Sequence, residues 1–127
     1  MVRPLSDSLL LGVIHANAVL EAWRDLGAPL RGRWVLGAPA PLYTPDESFI
    51  VAHAELACTV CQKPFFSSIS TEPVGRALRG DETPCTRTLE QIQRYGCTHL
   101  TERICRWQLQ PPAELETLVQ LHTLCMP

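Results

Sequence analysis

The sequence predicts a mainly α-helical, compact domain of five or six helices, with a metal-binding Cys-x-x-Cys knuckle near its middle and room for one short hairpin. Three observations lead there. Apolar residues recur at spacings of three and four along most of the chain. Cap residues open these stretches, and Gly or Pro closes them. Cys58 and Cys61 stand two residues apart, directly before Gln62-Lys63-Pro64-Phe65. At 127 residues the chain has one domain's length, and with 46% apolar and 19% charged residues it carries more core material than a disordered chain does. It is read as a single domain over 1–127: an N-terminal helix in 1–27, a Pro/Gly-rich connector in 28–45, and the knuckle with the remaining helices in 46–127.

The first helix is expected from about Ser6 to Leu26. Ser6 can cap it, and Asp7 suits the positive end of the helix dipole. Leu9, Leu10, Val13, Ile14, Ala16, Leu20, Trp23 and Leu26 form its apolar stripe, and Gly27 stops it. The connector contains Arg31, Arg33 and Trp34, with a short strand at Trp34-Val35-Leu36. Trp34 is expected to pack on the first helix; the alternative is an exposed Arg–Trp patch for a partner.

Thr44-Pro45-Asp46-Glu47 has the form of a capping box with Pro at the first helical position. It predicts a helix carrying Phe49, Ile50, His53, Leu56 and Ala57. The same stretch also reads as a strand running into a metal knuckle, and the cap decides for helix. Phe65 to Ser70 reads as a strand, and Pro73 to Leu78 as a single helical turn ended by Gly80-Asp81. Thr83-Pro84 opens a helix with Leu89, Ile92 and Tyr95 on one face and Gly96 as its stop. Thr98 caps the next, which carries Leu100, Ile104, Cys105, Trp107 and Leu109. Pro111-Pro112 breaks it, and a last helix follows from about Pro112 to Leu124.

The six cysteines are Cys58, Cys61, Cys85, Cys97, Cys105 and Cys125. An even count permits disulfides, so the compartment must arbitrate. Arg3, Leu9 to Ile14 and Ala16-Asn17-Ala18 faintly match a secretory leader, but the apolar stretch is short and is flanked by Asp7 and His15. The chain is therefore read as cytoplasmic and reduced, where clustered cysteines point to metal. Cys58 and Cys61 can turn both sulfurs onto one ion, and Lys63 favours thiolate over thiol. A structural zinc needs four N or S ligands. Cys85 and Cys97 each follow the start of a predicted helix, so Cys58, Cys61, Cys85 and Cys97 form the expected ligand set for one structural zinc ion. His99 is the first substitute and the His122/Cys125 pair the second. Cys105 is assigned to the core.

Two other uses of these residues are alternatives. A thioredoxin-like pair wants Cys-x-x-Cys at a helix start after a strand in a βαβ unit, and that context is missing. Leu89 to Ile104 has helix-turn-helix rhythm, with Arg94, Thr98, His99, Arg103 and Arg106 as candidate nucleic-acid contacts. Between Arg76 and Arg106 six Arg face four acids, whereas the whole chain has a net charge of −2 and no basic footprint.

Two short segments resemble known families. Cys58 to Phe65, followed at a distance by Pro73-Val74-Gly75, resembles part of the zinc segment of the bacterial flagellar master regulator's C subunit, although that family's second Cys-x-x-Cys has no counterpart here. Gly96-Cys97-Thr98-His99-Leu100 is similar to a motif of an uncharacterised bacterial family, which implies no activity.

No phosphate-cradling Gly loop, His-Glu-x-x-His, paired-carboxylate pattern or nucleophile elbow is present. No apolar run reaches the roughly 18 residues of a membrane span. The expected function is non-catalytic: a small regulatory or adaptor protein, pinned by zinc, that binds a larger macromolecule. That partner is expected to be a protein, with nucleic acid as the alternative.

Overall fold

The computed structural model describes residues 5–37, 49–71 and 83–125. It corrects the predicted mainly α fold of five or six helices. The described residues form four helices and a four-stranded antiparallel sheet. The order is α1 (Leu5–Asp25), β1 (Leu30–Arg31), β2 (Trp34–Leu36), β3 (Phe49–Cys58), β4 (Pro64–Thr71), α2 (Pro84–Tyr95), α3 (Thr98–Leu109) and α4 (Leu115–Cys125).

The predicted helix through Phe49 to Ala57 is where the reading fails. The segment is the long strand β3, in which Ala52, Ala54, Leu56 and Cys58 are buried while His53 is half-buried and Glu55 exposed. Through residues 52–56 that is a period of two, the signature of a strand with one face on the core, and at its end Ala57 is buried as well. The capping-box sequence at Thr44 to Glu47 lies outside the described residues, as does the helical turn expected at Pro73 to Leu78.

β3 is the centre of the sheet. β4 pairs with one edge from Phe49↔Thr71 to Ala57↔Pro64, with a bulge between Ile50 and Ala52. β1 and β2 share the other edge, in a register that is the same on both sides of their gap: Arg31↔Ala57, then Trp34↔Ala54. The gap is made by Gly32, at φ +112°, where a Cβ would fall inside van der Waals contact of the Glu55 carbonyl and of Leu56. The backbones approach too closely there for any side chain.

Helices cover one face of this sheet. Leu9, Val13, Ala16, Leu20 and Trp23 of α1, Ile92 of α2 and Leu100 and Ile104 of α3 form one core with Leu30, Trp34, Leu56, Cys58, Phe65 and Ile69. Trp34 is buried, as expected from its proposed packing on the first helix. Its Nε1–H donates to Thr88 Oγ1 at 2.7 Å. Its backbone is held by Asn17 of α1: the amide donates to Trp34 O at 3.1 Å, and Trp34 N–H donates to Asn17 Oδ1 at 2.7 Å. The Asn side chain thus takes the place of a further strand on an otherwise unpaired edge. Arg24 does the same for β1, donating to Leu30 O at 2.7 Å and also to Gly32 O.

α4 docks on α1 and is fastened by His122 Nε2 against Asp25 Oδ2 at 2.5 Å. The outer face of the sheet carries exposed Val35 and Phe66, with Phe66 stacked on His53 at 5.9 Å between ring centroids. No helix among the described residues is long and apolar enough to cross a membrane.

Candidate metal centre

The β3–β4 hairpin turns through Thr59-Val60-Cys61-Gln62-Lys63, and local chemistry shapes that turn into a knuckle. Gln62 N–H donates to Cys58 O at 3.0 Å, and Cys58 N–H donates to Lys63 O at 3.3 Å. Gln62 takes φ +64°, the only left-handed non-glycine residue among those described. Its side chain donates to Thr59 O at 2.9 Å, a local bond that helps hold this unfavourable conformation. Thr59 N–H donates to Pro29 O at 2.9 Å, which anchors the turn to the chain entering β1.

Folding the turn this way aims two backbone amides at one sulfur. Val60 N–H and Cys61 N–H lie 3.3 and 3.5 Å from Cys58 Sγ. Burial on its own pushes the Cys58 thiol up, but these amides and hydrogen bonds from the Cys97 and Cys61 thiols together hold it below the ordinary thiol range. Such N–H···S bonds stabilise a thiolate, the form that binds metal.

The other half of the site comes from the junction of α2 and α3. Thr83 opens α2 through a reciprocal capping box with Thr86, and Pro84 takes its first turn, as the sequence indicated. Gly96 closes the helix; a Cβ on it would lie 2.5 Å from Ile92 O, so only glycine lets the chain leave this tightly. The chain then enters α3 at once. The N-cap of α3 is Cys97, not the expected Thr98, and its sulfur makes no side-chain cap hydrogen bond. His99 sits two residues on, with Nδ1 at 3.6 Å from Cys97 Sγ. Burial, then hydrogen bonding toward Cys61 and Cys58, pushes the Cys97 thiol up, while the Leu100 and His99 amides pull the other way.

Cys58, Cys61, Cys97 and His99 therefore converge. Their donor atoms all lie within 4.8 Å of one another, and the group could bind a metal ion. In a tetrahedron with metal–sulfur bonds near 2.3 Å, neighbouring sulfurs stand about 3.8 Å apart, so modest side-chain movement closes the shell. Three sulfurs and one imidazole are a donor set suited to zinc-type coordination. Cys58 is fully buried, Cys97 half-buried, and Cys61 and His99 exposed.

The remaining candidates lie elsewhere. Cys85 is half-buried in the first turn of α2 against the core, and its thiol is pushed up by burial. A helix of 12 residues, about 18 Å long, stands between it and Cys97. His122 is paired with Asp25, and the Cys125 side chain lies outside the described residues. Cys105 is half-buried on α3.

Of the candidate nucleic-acid contacts, Arg94, Thr98 and Arg106 are exposed, whereas His99 belongs to the cluster. Arg103 is half-buried and donates to Gly27 O. Sequence reasoning ranked His99 behind Cys85. The signal it underused was the Cys-x-His spacing, which puts two donors on one helix start.

Comparison with protein-family models, curated proteins and solved structures finds no match to this chain.

Proposed function

We propose that this chain is a small regulatory or adaptor protein whose fold is tied by one structural zinc ion and which acts by binding a macromolecular partner, most simply a protein. The observation that carries the reading is the convergence of Cys58, Cys61, Cys97 and His99. The four donors come from two elements far apart in sequence, and they close a full shell with no position left for a substrate, the mark of a structural rather than a catalytic zinc site. An ion there joins the β3–β4 hairpin to α3. The outer sheet face supports partner binding: Phe66 and Val35 are exposed there, and Arg31 and Arg33 lie on the adjoining edge, also exposed. Aromatic and Arg side chains are the usual anchors of protein interfaces.

Chelation tests the first half. Hydrogen exchange at Thr59 to Lys63 and at Thr98 to Thr101 is expected to speed up when zinc is stripped and to recover when it is restored, because metal affinity is then folding energy. Unchanged exchange contradicts it. For the second half, Phe66→Glu should keep zinc and helix content yet lose the species that the wild-type chain captures from its own cell extract. Equal capture by the two chains rules out this face.

A further inference from the structure

The four ligands of the cluster are not equally protected, and we propose that Cys61 is a modification site at which a peroxide opens the metal centre. The inference rests on the zinc reading above. Cys58 is fully buried, and its sulfur accepts the N–H groups of Val60 and Cys61. Those bonds draw electron density from the sulfur and shield it. Cys61 stands at the exposed tip of the turn, between exposed Val60 and Gln62. A metal-held thiolate carries no proton and stays nucleophilic, so the sulfur that solvent can reach reacts first. Cys85 and Cys105 are half-buried and lie outside the cluster.

The chemistry balances with a peroxide as the two-electron oxidant. The Cys61 thiolate attacks the O–O bond; an S–O bond forms, hydroxide leaves and is protonated to water, and Cys61 becomes a sulfenic acid. A second thiolate then attacks the Cys61 sulfur. An S–S bond forms, the S–O bond breaks, and the departing hydroxide is protonated to a second water. Two thiolates are oxidised and one peroxide is reduced.

Cys97 is the second thiolate. It lies within 4.8 Å, is half-buried, and sits at the N-cap of α3, across the site from the hairpin that carries Cys61. Cys58 is fully buried, whereas Cys97 is half-buried and easier to reach from the exposed Cys61 sulfur. The ion then keeps one sulfur and one nitrogen and dissociates, while the Cys61–Cys97 disulfide takes over as the tie between the hairpin and α3. Metal leaves without the fold opening, and a thiol reductant with zinc restores the site.

The test uses the zinc-loaded full chain and hydrogen peroxide. Released zinc is followed with a chromophoric chelator, disulfides are mapped under non-reducing conditions, and helix content is followed by circular dichroism. The expected result is one zinc released per chain, a Cys61–Cys97 disulfide, unchanged helix content and reversal by reductant plus zinc. Cys61 should oxidise at least about tenfold faster than Cys85 or Cys105. A Cys85→Ser, Cys105→Ser double variant, which keeps every ligand, should release zinc at the wild-type rate. Zinc retained while Cys85 or Cys105 oxidises, or a disulfide between Cys58 and Cys61, overturns the proposal. A chain that binds no zinc before peroxide is added overturns the zinc reading with it.

Discussion

Asn17 and Gly32 show at the level of single residues how the sheet is held to its helices. The Asn17 side chain satisfies both backbone groups of buried Trp34. Asn17→Ala strands an N–H and a C=O in the core, each costing about 1–3 kcal/mol when left unpaired. Chemical denaturation should therefore show a loss of about 2 kcal/mol or more, with the denaturant slope unchanged. Gly32 has no space for a side chain and a backbone angle that other residues avoid. Gly32→Ala should cost about 1–3 kcal/mol from backbone strain, plus the displacement of β1 from β3. An unshifted melting temperature in that variant would mean the gap between β1 and β2 is not tight. Neither role can be read from the sequence, because an Asn on a helix and a Gly in a connector each have commoner explanations.

Among the elements, most of what the chain encodes locally is legible. The Thr83-Pro84 opening of α2, the Gly96 break and the helix after Pro111-Pro112 stand where spacing and caps put them; α1 also forms, but it begins at Leu5, ahead of the expected Ser6 cap, and Leu10 of its expected stripe is exposed. β3 does not, for a definite reason. A capping-box pattern lies just ahead of a run whose apolar residues satisfy both periods, since Phe49, His53, Leu56 and Ala57 can be matched to a helix while Ala52, Ala54, Leu56 and Cys58 alternate. Pairing with strands on both edges decides between them, and that is information held by distant segments.

The site follows the same division. Cys58 and Cys61 are local and legible. The choice between Cys85 and His99 depended on taking the predicted α2 as a spacer about 18 Å long. The prediction at this scale is a contrast. Cys85→Ser should load zinc as the wild type does. His99→Ala should weaken zinc by more than the ~10–100-fold that loss of an outer-shell partner costs. His99→Cys should restore binding, since zinc accepts four sulfurs. Competition titration with a zinc chelator measures all three.

For the whole molecule, an ion bound at the proposed site would join the β3–β4 hairpin to α3 in addition to their shared core. A domain of this size gains much from such a link. Protons compete with metal for the same lone pairs, so loaded protein should hold zinc and melt high at neutral pH, then lose both in acid. Despite its burial, Cys58 is held below the usual thiol range by the N–H groups on its sulfur. In the metal-free chain the same lowered thiol adds stability that is complete only above the unfolded thiol value, and that disappears as pH falls through the folded one. Melting curves of loaded and stripped protein across pH should therefore differ most at neutral pH and converge in acid.

The most direct test is X-ray absorption at the zinc edge on protein purified under reducing conditions. The proposed zinc site predicts one zinc per chain with three sulfur neighbours at about 2.3 Å and one nitrogen at about 2.0 Å. A folded, fully reduced chain without zinc, or a shell unchanged when Cys97 and His99 are both replaced, would contradict it.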